Sequence, residues 1–159
     1  MKSKIVVNSF LGKIKEIDKS DLKWRISAYG LLIQKSEILL CENQLNHQFA
    51  LPGGAVELGE TIKEALTREF LEETGKNIQI IQFLGFKERY FHFDPTQETF
   101  QSLQLFFEVK SISTTDPRKD DIETPIWQDI NTILSGQQQI LQPHLEIIRD
   151  HLKLNPISI

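Results

Sequence analysis

At 159 residues and a net charge of −4, from 18 Lys and Arg against 22 Asp and Glu, the chain is sized for one domain with one core. Forty per cent hydrophobic residues and a quarter charged ones match a soluble globular protein, and no apolar run is long enough to cross a membrane. The acidic balance argues against extended nucleic acid as a partner, which calls for a basic face, but it leaves room for a small anionic ligand if a bound cation supplies positive charge locally.

Met1 to Phe10 carries two lysines without a sustained apolar stretch and a small-residue cleavage site, so no signal peptide is expected. Ile5 to Leu11 reads as a first strand. Arg25 to Ile33 and Glu37 to Cys41 read as two further strands, with Lys35-Ser36 in the turn between them. Cys41, the single cysteine, cannot form an internal disulfide. Its apolar neighbours Ile38, Leu39 and Leu40 point to a buried strand residue in a reducing, cytoplasmic setting. Phe49-Ala50-Leu51 runs into Pro52-Gly53-Gly54, which must turn.

A helix is predicted from Thr61 to Thr74. Thr61 and Glu64 form a capping box, in which each side chain serves an exposed backbone N–H, and Gly75 ends the helix in a left-handed conformation. Ile78 to Tyr90 and Leu103 to Val109 read as longer strands, and Ser113 to Glu123 as a polar loop. A last helix starts near Pro143, with Leu141, Leu145, Ile148 and Leu152 as its apolar stripe. His47, His144 and His151 show no metal-like pairing and read as surface or structural residues. Strands mixed with two helices indicate an α+β or α/β/α layered domain.

The helix from Thr61 to Thr74 has acids where a core face is expected. At roughly 100° per residue, with Glu69 at zero, Glu73 falls near about 40° and Glu72 near about 300°. Ile62, Ala65 and Leu66 occupy the same sector, and Phe70 flanks it, so the glutamates continue the inward face toward the helix C-terminus. Three carboxylates within one turn repel one another, and turning inward adds a desolvation penalty. Arg68, four residues before Glu72, compensates one of them. A hard divalent cation with oxygen ligands is the simplest compensation for the rest; a solvated acidic patch is the other reading. Just upstream, Gly53 and Gly54 let the backbone approach a ligand closely, so that a carbonyl can join a metal shell or N–H groups can meet phosphate oxygens.

Gly54 to Lys76, GAVELGETIKEALTREFLEETGK, resembles the Nudix box. That signature is a Gly, five residues, a Glu, seven residues, Arg-Glu, an apolar residue, any residue, Glu-Glu, any residue, Gly and an apolar residue. Gly54, Glu60, Arg68, Glu69, Phe70, Glu72, Glu73 and Gly75 fall on pattern, and Leu51-Pro52-Gly53 looks like the family's lead-in. Lys76 departs from it, standing where an aliphatic residue is expected, which puts local packing in question more than chemistry. The flanking strand order, Trp127 after an acidic loop and the C-terminal helix extend the resemblance over roughly Arg25 to Leu152. Residues 25–159 are then the Nudix-like domain, and residues 1–24 an N-terminal extension that adds a strand to the domain or a contact for a homodimer.

What the resemblance implies is an α/β/α sandwich with a mixed β-sheet and a loop–helix–loop catalytic box. It also implies metal-dependent hydrolysis of a diphosphate bond in a nucleoside diphosphate derivative, with magnesium as the cofactor and manganese as the alternative. Carried over by position, Glu69 and Glu73 bind the metal, Glu72 is a further ligand or the base that activates water, and Gly53, Gly54 or Ala55 adds a carbonyl. Arg68 holds the glutamates in place, and Glu60 steadies the loop; Glu57 has no clear role in this reading.

A base from outside the box would come from Glu98, Asp120, Asp121 or Glu123, and Glu88 could add to the metal site; each also reads as a solvated acid. For substrate contact, Gly53 and Gly54 meet phosphate, and Tyr90 and Phe91, in an aromatic run through Phe93, either stack a base or fill the core. Two other functions stand beside this one: removal of pyrophosphate from RNA 5′ ends, and a nucleotide-binding module without catalysis.

Overall fold

The computed structural model describes residues 3–115 and 123–154. Its core is a mixed sheet built from β3 (Leu22–Gln34), β4 (Glu37–Asn43), β5 (Phe49–Ala50), β6 (Gly53–Ala55), β7 (Lys76–Phe93), β8 (Glu98–Thr114) and β9 (Glu123–Asp129). The path runs β5-β4-β3-β8-β7, with β6 on β3 and β9 on β4. β3 and β8 are parallel, while β7 and β8 form a long antiparallel hairpin.

β3 is paired with β4 only at its far end, through Ile33↔Ile38 and Gln34↔Glu37. Earlier along β3, Ser27, Ala28 and Tyr29 pair instead with Ala55, Gly54 and Gly53 of β6. The sheet therefore splits. One half is β3-β8-β7 with β6, the other is β4 with β5 and β9, and a cleft opens where they part.

Helices cover both faces. α1 (Ile62–Thr74) buries Ala65, Leu66 and Phe70 against Ala28, Leu32, Leu39, Ile78 and Val109. α3 (Gln142–Leu154) buries Leu145, Ile147 and Ile148 on the other face against Leu31, Leu40, Phe49, Leu51 and Phe106, with the short α2 (Ile130–Leu134) adding Ile130 and Ile133. The alternation of β3 produces this division, because successive residues of a strand face opposite sides. Ala28 and Leu32 meet α1, while Leu31 and its half-buried neighbours Tyr29 and Ile33 meet the α3 side. The α/β/α sandwich expected from the sequence is present.

The N-terminal segment holds two strands where one was expected: β1 (Lys4–Asn8) pairs antiparallel with β2 (Ile14–Asp18) as a separate ribbon. An isolated ribbon is marginal in water, and this one is fixed at its tip. Phe10 N–H donates to His92 O (2.7 Å), Leu11 N–H donates to Asp94 Oδ2 (2.9 Å), and Asn46 Nδ2 donates to Phe10 O (2.8 Å).

The sequence underestimated β7 and β8. The turn through Asp94 to Gln97 joins them, and the expected ends at Tyr90 and Leu103 lie inside the strands.

Candidate active site

The cleft at the sheet split has a volume of about 280 Å³ and is lined on one side by Gly53, Gly54, Glu69 and Glu73. α1 places the acids. Thr61 accepts from Glu64 N–H (3.2 Å), while Glu64 accepts from Thr61 N–H (2.7 Å), and Gly75 closes the helix at φ 68°. These two ends set the phase of the helix, so Glu69 and Glu73 turn toward β6 when Phe70 enters the core.

Glu73 is 8% exposed, and its Oε2 accepts from Gly53 N–H at 2.8 Å and lies 3.8 Å from Cys41 Sγ. Glu69 rests directly on Gly54. A Cβ at residue 54 would stand 2.7–2.9 Å from the Glu69 carboxyl atoms, so glycine is required for that approach. Gly53 adopts φ +137°, a conformation that favours glycine, and a side chain there would collide with Ala28 O. Burial raises the pKa of Glu69, and hydrogen bonding and charge from Arg68 oppose that rise. The carboxylate is thus held where added positive charge is favourable.

Arg68 organises the box. Its Nε and Nη2 donate to the two oxygens of Glu60 at 2.7 and 2.9 Å, Nη1 donates to Glu69 Oε1 at 2.9 Å, and Nη2 also donates to Ala55 O at 3.2 Å. Glu72 Oε2 is 3.5 Å from Nη1. One guanidinium ties the helix to the preceding loop, and Glu60 in turn accepts from Glu57 N–H (3.0 Å). The paired guanidinium and this N–H lower the Glu60 pKa to about 2, so Glu60 stays charged as a strut.

Among the described residues no three His, Cys, Asp or Glu side chains converge into a closed metal site. The donors present still suit a hard cation. Magnesium-like ions take one or two carboxylates and complete their shell with water and ligand phosphates. Glu69 and Glu73, on the wall of an open cleft beside two glycines, supply that partial shell.

Outside the box the placements diverge. Phe91 lines the cleft, but Tyr90 does not: strand alternation turns it to the opposite face, beside Trp24, Leu22 and Gln101, where it is 42% exposed. Glu88, two residues before it, accepts from Gln101 Nε2 and lies 3.5 Å from Tyr90 Oη, away from Glu69 and Glu73. Glu98 is ion-paired with Lys23 at the start of β8 and does not line the cleft. Asp120 and Asp121 lie outside the described residues, as does the side chain of Glu123.

The sequence reading missed Arg25, Tyr29, Arg89 and Gln104, which form much of the opposite wall, and Phe10, which reaches it from the N-terminal ribbon. A period-two reading of Arg89, Phe91 and Phe93 would have separated these cleft residues from Tyr90; nothing local marks Phe10. Lys76, the departure from the box pattern, begins β7 with its Nζ 5.9 Å from the Trp127 ring centroid, so a cation–π contact stands where an aliphatic contact was expected.

A family model described as NUDIX domain matches residues 23–150. The chain is 41% identical to an ADP-ribose pyrophosphatase from Methanocaldococcus jannaschii, over 45% of this chain and 48% of that protein, so it spans about half that relative's length. Among solved structures, a NUDIX hydrolase from Nitrosomonas europaea superposes with a TM-score of 0.68 at 25% identity, covering 82% of this chain and 90% of that one. A MutT protein from Methanosarcina mazei Go1 shares the fold, with a TM-score of 0.65 at 22% identity over 86% and 98% of the two chains. With the family match covering most of its length, and with the box acids gathered at the cleft, the chain belongs to the NUDIX family.

Proposed function

We propose that this protein hydrolyses a diphosphate linkage in a small nucleoside diphosphate derivative with the help of a divalent cation, magnesium foremost and manganese as the alternative. The observation that carries the reading is the pairing of two inward glutamates, Glu69 and Glu73, with the Gly53-Gly54 backbone at a cleft sized for a small molecule. Kinship to a protein named ADP-ribose pyrophosphatase supports the same class of bond.

In this reading Glu69 and Glu73 hold the cation. When bound, it neutralises phosphate charge and lowers the pKa of a coordinated water. Gly54 leaves room for the Glu69 carboxylate, and the Gly53 N–H keeps one oxygen of Glu73 aimed at the loop. Arg68, braced by Glu60, keeps the acids of one helical turn from splaying apart. Glu72, partly exposed and only 3.5 Å from that guanidinium, is the box acid left to accept a proton from water. The partner is a small nucleotide and the setting cytoplasmic, in keeping with a net charge of −4 and the buried thiol of Cys41.

The test is phosphate or nucleoside monophosphate release from a panel of nucleotide derivatives, with and without magnesium, run on the parent and on Glu73→Gln. Metal-dependent release by the parent alone is the expected result. Near-full turnover by Glu73→Gln would remove these carboxylates from the mechanism. A folded parent that binds one of the compounds and releases nothing would make the protein a nucleotide-binding module.

A further inference from the structure

The sheet face beneath α1 is larger than the helix that covers it. Directly paired residues share a face, and four rows cross β3, β8 and β7 on this side. Trp24-Gln101-Tyr90 and Ile26-Leu103-Glu88 are the first two. Ala28-Leu105-Phe86 and Gly30-Phe107-Phe83 follow them. α1 lies over the β3 end of the last two rows: Ala28 is buried in its core cluster, and a Cβ at Gly30 would stand 2.8 Å from the Phe70 ring.

Among the described residues nothing covers the remainder. Trp24 is 71% exposed, Phe86 63%, Phe83 53% and Ile26 45%, and Tyr90 stands open beside them. Leu103, Leu105 and Phe107 are half-buried between these side chains, with the Phe83 and Phe107 rings 5.3 Å apart. An antiparallel sheet that faces water on one side normally carries polar residues there. β8 does the reverse, because Leu103, Leu105 and Phe107 point to this open side while Ser102 and Gln104 point to the cleft side. Glu88 is the one charged residue in the four rows. Its carboxylate is already engaged, accepting from Gln101 Nε2 and lying 3.5 Å from Tyr90 Oη.

The area of the patch indicates what covers it. At roughly 150–250 Å² for a whole aromatic side chain, the exposed parts of Trp24, Phe83, Phe86, Tyr90 and Ile26 come to about 500 Å². The half-buried residues between them add to this. Proteins that act as single chains seldom leave contiguous apolar patches beyond a few hundred Å². One side of a stable complex contributes about 800 Å², and with its polar rim of Gln101 and Glu88 the patch is sized for such a contact. Contacts between identical chains are more apolar and poorer in charge than those of transient partners. Their commonest form is a two-fold pair in which each chain presents the same surface.

We propose that this face is the contact between two copies of the chain, packed sheet to sheet about a two-fold axis, with Trp24, Phe83 and Phe86 as its anchors. Arg25, Arg89, Phe91 and Gln104 line the cleft from the other face of the same strands. Pairing therefore leaves the cleft open and is independent of which bond is cleaved there.

Sedimentation equilibrium of the full-length protein across micromolar concentrations reads the assembly directly, and a species of twice the chain mass is expected. Phe86→Glu and, separately, Trp24→Glu place a charge in the contact, and each should raise the dissociation constant at least about 100-fold. Far-UV circular dichroism should stay unchanged, since both side chains are exposed in the single chain. Ile14→Glu, at an exposed apolar position on the N-terminal ribbon, should leave the pair intact. Acrylamide quenching of tryptophan fluorescence should rise on dilution as Trp24 is uncovered, and Trp24→Phe should abolish that rise. A parent that remains a single chain at every concentration overturns the proposal. So does a pair that survives both glutamate substitutions, or one that Ile14→Glu breaks instead. A single chain that binds phosphatidylcholine vesicles through Trp24 assigns the face to a lipid surface and overturns it equally.

Discussion

α1 and α3 are both 13-residue helices packed on opposite faces of the same sheet, and both turn ionisable groups inward. The outcomes differ. α3 buries His144 completely; its Nδ1 accepts from Leu51 N–H at 3.0 Å, and its ring packs edge-on against Tyr29 and Phe106 at 4.5 and 5.1 Å. Burial lowers the His144 pKa to about 3, so the ring is neutral and serves the core. α1 instead directs Glu69 and Glu73 to a cleft, where Gly54 lies against the Glu69 carboxylate, the Gly53 N–H meets Glu73 and the Arg68 guanidinium donates to Glu69. An inward ionisable residue becomes structural when it is sealed in the core, and becomes a candidate for chemistry when it opens onto a cleft beside hydrogen-bond donors and counter-charge.

This contrast predicts separate consequences. Glu73→Gln should lower turnover on the order of 100-fold, the scale on which removing a fixed polar group from a reacting centre is felt. Its melting curve should stay close to the parent's, because the amide oxygen can still accept from Gly53 N–H. A large drop in stability with activity retained would place Glu73 with His144 as a core residue.

His144→Ala should do the reverse, destabilising the fold by about 3 kcal/mol through lost packing and an unsatisfied Leu51 N–H, as measured by denaturant unfolding. The same histidine gives a pH signature. Its folded pKa of about 3 lies below the ordinary 6.5, so the unfolded chain binds the proton first, and stability is lost as pH falls from 6.5 toward 3. The slope approaches about 1.4 kcal/mol per pH unit within that window. His144→Phe should flatten the slope, and an unchanged slope would exclude the buried neutral ring as its source.

Gly54→Ala tests the close approach in α1. The new methyl displaces the Glu69 carboxylate without entering the core, so magnesium affinity, followed by titration, should weaken roughly 10-fold while the fold persists. Lys76→Leu should have the smallest effect, within about 0.5 kcal/mol of parent stability and with little change in turnover. A rate change there would mean that the contact with Trp127 reaches the cleft.

Residues close in sequence already determine most of the acidic half of the site. Thr61, Glu64 and Gly75 bound α1 through hydrogen bonds to near neighbours, and helical periodicity alone places Glu69 and Glu73 beside the apolar face. The spacing from Gly54 to Gly75 carries the family, and alternating apolar strands with two amphipathic helices carry the layered class.

The opposite wall could not be read in this way, because it depends on pairings between distant strands. Arg25, Ser102 and Arg89 become neighbours only when β3, β8 and β7 align, and the split between β3 and β4 opens the cleft only once β6 has taken the intervening edge. Phe10 reaches that wall because the N-terminal ribbon is pinned to His92, Asp94 and Asn46. Tyr90 and Phe91 are adjacent in sequence yet lie on opposite faces of one strand, and the burial of the whole sheet decides which face meets the cleft. Local hydrogen bonds and helical phase thus determined the acids, whereas strand register determined the cations that face them.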